Sequence, residues 1–312
     1  MFEEKFDFYS PSNISLKDLD DNLKNSLTVM GRLDEMTLKH CENVANLCTR
    51  ICEFMRCNNQ FTIHCMIAGY IHDLGKMFIP KEILTKNGPL TDEEFEIMKT
   101  HTTLGYEYCM NDINLKPYSD GPWYHHESLN GTGYPRGLKK NDIPYSAQII
   151  RVADEYDALV TKRHYTTHVN ISETLKMLIK DAQPPKELVA LDHLKQNERV
   201  GKINPKPLKA LFHVVIDDVL YEISCVMNYV YYLESQIKRL EQIEKYNKKR
   251  ENAKKPTDKD YYLSGMTMLL QSGETLDNYE QILSEYRDAL ALRKQRVNDL
   301  KKEIKIIKKL KV

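Results

Sequence analysis

Two histidines stand side by side in the stretch "PWYHHESLNGTGYP", His125 and His126, followed by Glu127 and a turn too rich in glycine to be helical. Adjacent side chains on a helix or strand point in different directions, so a pair that converges needs a bend in the chain. What imidazoles most commonly converge on is a metal ion. Read alone, the stretch is equally a polar surface loop. Further ligand-type residues recur along the chain: His40 in "MTLKHCENVANLC", His72 and Asp73 with Lys76 in "GYIHDLGK", His101 in "IMKTHTTLGYEY" and Asp154 in "RVADEYDAL". Asp73 and Asp154 both interrupt apolar helical stretches, and a buried carboxylate requires a cation or several donors. A lone histidine on an apolar face is ordinarily a hydrogen-bonded core residue. Several such interruptions in one helical region are better explained together, by one shared metal centre.

Helices must position these groups. Apolar residues recur at i, i+3 and i+4 over Leu33 to Met55, Phe61 to Ile71, Glu93 to Met110 and Ile149 to Val160, which predicts a helix at each. Thr91 with Glu94 forms a capping-box pattern, and Ser172 opens another helix. Strand-like alternation is nearly absent, and glycine and proline are scarce at 12 each, so the fold class is all-α. From Val226 the seam Val226, Val230, Leu233, Ile237 and Leu240 follows heptad spacing. After the polar, Lys-rich "KKRENAKKPTDKD", Leu283, Tyr286, Leu290, Val297, Leu300, Ile304 and Ile307 do the same, with Arg293 weakening one position. Two such helices around a hinge predict an antiparallel coiled-coil hairpin or a dimerising stalk. The long polar connection leaves room for exchange between chains, so a homodimer through these helices is expected.

Composition excludes several classes. Lys+Arg and Asp+Glu are equal at 45 each, which gives no basic bias toward DNA. No apolar run approaches bilayer-spanning length and the N-terminus is acidic, so a cytoplasmic protein without a membrane partner is expected. The seven cysteines include no CxxC pair, and Cys48 and Cys52 read as small apolar residues of a helix face. With only a short stretch before the first ligand helix, no receiver or sensory domain is expected ahead of it. Regulation is therefore expected through the C-terminal extension or a separate protein.

The ligand-bearing segments resemble a known family. "HDLGK" is similar to the signature of the HD metal phosphohydrolases. "HHESLNGTGYP", followed by "GLKKNDIPYSAQIIRVADEYDALVTKRHY", resembles their HD-GYP subfamily in particular. HD alone is a weak motif, but HD, a downstream His, HHE, GYP and VADxYDAL in that order are specific. The resemblance implies an HD-domain helical bundle, here over residues 31–220, with a helical lead-in at 1–30 and a coiled-coil extension at 221–312. It also implies that His40, His72, Asp73 and Asp154 hold one divalent metal ion and that Asp73, His101, His125 and His126 hold a second. A single bridging carboxylate can serve two cations roughly 3.5–4 Å apart. Mixed imidazole and carboxylate ligands suit iron, manganese or zinc better than magnesium, and the family favours iron or manganese. Lys76 would face a non-bridging phosphate oxygen. Gly131, Gly133, Tyr134 and Pro135 would shape a loop over the substrate, with Arg163 and Tyr165 contributing from the "RHYTT" segment. The implied activity is that of a metal-dependent phosphodiesterase acting on cyclic di-GMP or a related cyclic dinucleotide.

The chain departs from the family pattern at several positions. Met36 and Lys81 stand where a third metal would find ligands, so two metals are expected. Ser128 replaces the usual Arg, Asn130 the usual Asp, and Thr166 and Thr167 replace two basic residues. Each lost charged contact weakens substrate binding by about 1.5–3 kcal/mol. Two alternatives therefore stay open: an HD phosphohydrolase acting on another nucleotide or phosphoester, or a catalytically weak binding module whose coiled coil recruits a partner.

Overall fold

The periodic segments fold as helices, and their starts carry the caps that short polar residues provide. The computed structural model describes residues 12–164, 171–184 and 200–312, without the side chains of 161–164. Helices α1 (Asp21–Leu27), α2 (Glu35–Phe54) and α3 (Asn59–Tyr70) begin after Asp20, Asp34 and Asn58, whose side chains accept from the N–H groups of Leu23, Thr37 and Phe61. A single turn, α4 (Lys81–Leu84), precedes α5 (Asp92–Lys99). There the box is closed in both directions, with Glu94 N–H donating to Thr91 Oγ1 at 3.2 Å and Thr91 N–H to Glu94 Oε2 at 2.7 Å. Helices α6 (His101–Met110), α7 (Asp120–Tyr124), α8 (Tyr145–His164) and α9 (Ile171–Ala182) follow. Among the described residues the β content is one isolated bridge, Asn130 to Lys139, and the fold is all-α.

The segment Glu93 to Met110, expected as one helix, breaks at Thr100. The Thr100 hydroxyl donates to the Ile97 carbonyl at 2.6 Å, and His101 Nδ1 takes the Met98 carbonyl at 2.7 Å. Side chains thus occupy carbonyls that a continuing helix would give to backbone N–H groups four residues on. The break sets His101 at the head of a new helix.

The core lies around α2. One side packs Val44, Leu47, Cys48 and Ile51 against Ala68 of α3 and Ile149, Ile150 and Ala153 of α8. The other side packs Cys41 and Ala45 with Met66, Ile67 and Ile71 and with Leu19, Leu23 and Leu27 from the N-terminal segment. Each large apolar side chain so buried contributes roughly 1.5–3 kcal/mol. Cys48, Cys52 and Cys65 are fully buried here as small apolar groups. Arg50 of α2 forms a buried ion pair with Asp218 and donates to the Val214 carbonyl at 3.1 Å.

The C-terminal helices are α10 (Pro205–Asn252), α11 (Pro256–Leu269) and α12 (Tyr279–Ile307). By contacts the chain forms two compact units, residues 219–305 and, among the remaining described residues, 12–218 with 306–312. In the first of these, the seam residues Val226, Val230, Leu233, Ile237 and Leu240 are buried, as are Leu283, Val297 and Leu300. They pack on one another within the chain: Val226 and Val230 against Val297, and Ile237 and Leu240 against Leu283 and Met266. Arg239 with Glu274 at 2.5 Å and Lys294 with Glu234 at 2.8 Å flank the seam. Arg293, the seam cation, sits 5.5 Å from the Tyr229 ring centroid, where the ring face receives its charge. One expectation is corrected here. The Lys-rich segment is not an open connection, because it is the last turns of α10 and the start of α11. The apolar strip that motivated a homodimer is covered by the chain's own helices, so the seam no longer argues for one. No helix among the described residues is long and apolar enough to cross a membrane.

Candidate metal centre

The ligand candidates come from two helix interiors and from the turns where other helices begin or end. His40 lies within α2, and His72 and Asp73 lie on the turn that leaves α3. A tight helical turn over Leu74–Phe78 follows and carries Gly75 and Lys76. That turn lies against the head of α6. A Cβ at Gly75 would fall 1.9 Å from the His101 carbonyl oxygen, so only glycine lets the two histidine-bearing segments approach this closely. His125 and His126 leave the end of α7, and the chain bends so that their ring centroids are 4.0 Å apart. Asp154 comes from α8.

Three groups of ligand atoms each lie within 4.8 Å of one another: His40, His72 and Asp73; His101, His125 and His126; and His72, His125 and Asp154. All seven proposed ligands therefore fall in one continuous cluster. Asp73 stands between its two ends. Its Oδ2 is 3.8 Å from His40 Nε2 and 3.3 Å from His72 Nε2, while its Oδ1 is 3.5 Å from His101 Nε2 and 3.9 Å from His125 Nε2. Asp154 reaches His40 Nε2 at 3.0 Å through Oδ1 and His126 Nδ1 at 4.0 Å through Oδ2. Lys76 Nζ lies 2.6 Å from Asp73 Oδ2.

The hydrogen bonds fix which ring nitrogens face inward. His72 Nδ1 meets the Gly69 carbonyl at 2.7 Å, His101 Nδ1 the Met98 carbonyl at 2.7 Å, and His125 Nδ1 the Gly121 carbonyl at 2.9 Å. A carbonyl only accepts, so each Nδ1 carries the proton and each neutral ring turns an Nε2 lone pair inward. Two of these lone pairs, on His101 and His125, face each other at 3.2 Å. His72 Nε2 is buried with no hydrogen-bond partner, beside two carboxylates. Imidazole lone pairs gathered without donors repel one another unless a cation lies among them. The donor set of imidazoles and carboxylates fits a divalent transition metal.

The electrostatics agree. Burial holds the pKa of His125 well below its ordinary range and lowers that of His101, and it brings His126 down to about 3, so these rings are neutral at ordinary pH. Burial opposes charge at His40 too, but hydrogen bonds to Asp154 and Asp157 outweigh it and raise that pKa to about 10. Burial would likewise neutralise Asp73, yet the Lys76 ammonium beside it holds its carboxyl well below the usual range.

Asp157, Asn43 and Glu127 support the cluster in roles that the sequence alone does not assign. Asp157, fully buried on α8 one turn beyond Asp154, accepts from His40 Nδ1 at 2.6 Å and from Asn43 Nδ2 at 3.1 Å. A carboxylate behind a metal-binding histidine fixes its tautomer and raises its basicity. The i, i+3 pair of aspartates in "VADEYDAL" was the available signal. Glu127 points away from the cluster and accepts from the N–H groups of Arg136 at 2.7 Å and Leu138 at 2.8 Å, tying down the loop that carries Tyr134 and Pro135.

In that loop a Cβ on Gly133 would meet the His126 carbonyl oxygen at 2.5 Å, so this glycine lets the loop lie on the histidine pair. The Tyr134 ring packs 4.7 Å from the His126 ring, and Pro135, joined to it by a cis bond, is exposed. Gly131 takes a positive φ of 83° at the loop's turn. Ser128 is buried in the loop. Met36 and Lys81 are exposed. Arg163 lies on α8 with its side chain outside the described set, and Tyr165, Thr166 and Thr167 lie outside the described residues altogether.

The family model of the HD domain matches residues 22–186. The chain is 40% identical over 163 residues to a cyclic di-GMP phosphodiesterase of Thermotoga maritima, covering 50% of this chain and 44% of that one. It is 29% identical over 150 residues to 3'3'-cGAMP-specific phosphodiesterase 1 of Vibrio cholerae, covering 48% and 35%. It thus spans less than half the length of these relatives. Among solved structures it is similar to the HD domain of the Listeria monocytogenes phosphodiesterase PgpH in complex with cyclic-di-AMP, at 21% identity and a TM-score of 0.43 over 63% of this chain and 93% of that one.

Proposed function

The chain belongs to the HD domain family, and from that premise we propose that it is a metal-dependent phosphodiesterase of the HD-GYP type that hydrolyses a cyclic dinucleotide. The observation that carries the reading is Asp73, whose two oxygens face two different sets of histidines. On this reading His40, His72, Asp73 and Asp154 hold one divalent ion, and Asp73, His101, His125 and His126 hold the other, with iron or manganese preferred. A bound pair of divalent ions supplies Lewis acidity toward a phosphoryl oxygen and lowers the pKa of water.

The chain's own residues do the rest. Lys76, held between burial and the Asp73 charge, keeps its pKa raised and remains an ammonium able to meet a phosphate oxygen as negative charge builds there. Asp157 and the backbone carbonyls behind His72, His101 and His125 lock the imidazoles before substrate arrives, which spares reorganisation during the reaction. Glu127 anchors the loop over the site, and Tyr134 closes its inner face against His126. Relatives named for cyclic di-GMP and for 3'3'-cGAMP support the cyclic dinucleotide class without selecting the bases.

The test is anaerobic reconstitution with iron or manganese, followed by a turnover panel of cyclic dinucleotides and an unrelated phosphomonoester. Metal-dependent hydrolysis of at least one cyclic dinucleotide is expected. Hydrolysis of the monoester alone would move the protein to a different substrate class.

A further inference from the structure

A cyclic dinucleotide carries two phosphodiesters. When one lies at the histidine cluster, the other lies outside it and needs its own cation. The sequence removes two basic residues at Thr166 and Thr167, and Ser128 is buried in its loop. One wall beside the cluster does carry a cation.

Lys99 closes α5, two residues before the ligand His101. Its Nζ stands 5.5 Å from the Phe95 ring centroid and 5.8 Å from that of Tyr134. The two rings meet edge to face, with centroids 6.2 Å apart and planes at 81°. Tyr134 in turn lies 4.7 Å from the His126 ring. A continuous run of contacts therefore leads from the proposed metal ligand His126 through Tyr134 to the Lys99 ammonium. Phe95 is 46% exposed and the Lys99 side chain 25% exposed, so the corner opens to solvent while its geometry is held. Glu96 Oε1 neutralises the ammonium at 2.6 Å, yet Glu96 itself is 69% exposed and free to be replaced by a better-placed anion.

Building on the proposed function, we propose that Lys99, seated in the Phe95–Tyr134 corner, binds the second, uncleaved phosphate of the cyclic dinucleotide. The corner fixes the ammonium through the ring faces, and the phosphate displaces Glu96. Lys99 thereby becomes a specificity residue that favours substrates with a second phosphate over simple phosphodiesters.

The experiment compares Lys99→Gln, Lys99→Arg and Glu96→Gln with the wild type, all metal-loaded, on a cyclic dinucleotide and on bis(4-nitrophenyl) phosphate, which has one phosphodiester. Loss of a charged hydrogen bond corresponds to roughly a tenfold to hundredfold rise in KM. Lys99→Gln should raise KM for the cyclic dinucleotide by about that factor, and at least tenfold more than for the simple diester, with kcat falling less. Lys99→Arg should restore most of the loss, and Glu96→Gln should lower KM for the cyclic dinucleotide. Equal losses on both substrates would mean that Lys99 only supports the metal site and would overturn the inference, as would no change on either. A wild type active on the simple diester and inert toward every cyclic dinucleotide would overturn the substrate reading itself.

Discussion

Asp157→Asn isolates the support behind one ligand. The substitution keeps the size of the side chain and removes its charge. Asp157 is fully buried, touches His40 Nδ1 at 2.6 Å, and is itself held by Asn43 at 3.1 Å. Replacing the carboxylate behind a metal-binding histidine typically costs 10–100-fold in metal affinity, or about 1.4–2.8 kcal/mol. The short contact and complete burial place this case near the upper end, so about a 100-fold loss is expected at the His40 site. His101 and His125 are braced by carbonyls on other segments and should keep their affinity. Competition for manganese against a chromophoric chelator reads both classes of site, and circular dichroism checks that the helices survive. Wild-type affinity at both sites would refute the reasoning. Equal loss at both would show that Asp157 matters for folding instead of for His40.

Gly75→Ala should drive the turn off the His101 carbonyl, which a Cβ would approach to 1.9 Å; overpacking of this kind costs about 1–3 kcal/mol or more, and both the melting temperature and metal retention should fall. Asp218→Ala leaves the buried Arg50 charge unpaired and should cost about 3–5 kcal/mol in urea unfolding, with much of the loss recovered by Arg50→Met in the same chain. The metal-free protein should melt highest near pH 6.5. Below that, His101, His125 and His126 have folded pKa values under the ordinary 6.5, so the unfolded chain binds more protons and stability falls toward about 3; above it, His40 loses its stabilising proton as pH rises through about 10. A melting temperature that climbs steadily from pH 4 to pH 9 would contradict these assignments. Val230→Asp, which puts a charge into the seam, should loosen α10 and α12 to the same extent at every protein concentration, measured by limited proteolysis; a concentration-dependent effect would restore an interchain pairing.

Much of the site was legible because its residues break patterns. Asp73 and Asp154 stand out within apolar helical stretches, and an adjacent histidine pair before a glycine-rich turn can converge only if the chain bends. The support was harder to read. Asp157 looks like any helix aspartate until His40, 117 positions away, arrives beside it. Gly75 looks like loop punctuation until the His101 carbonyl fills the space where a Cβ would be. The break at Thr100 depends on a histidine whose Nδ1 captures a backbone carbonyl, which no periodicity records. In the C-terminal unit the seam residues were legible by spacing, but their partner was not. Heptads state that a face must be covered, and which helix covers it depends on whether the connection folds. Here the Lys-rich segment does fold, as the ends of α10 and α11.

The central claim is one carboxylate shared by two metal sites, and metal content of anaerobically reconstituted wild type and Asp73→Ala tests it most directly. Two metals per chain are expected in the wild type. The variant should lose metal and turnover while keeping its helical content. A variant that retains two metals per chain and full activity would contradict the account.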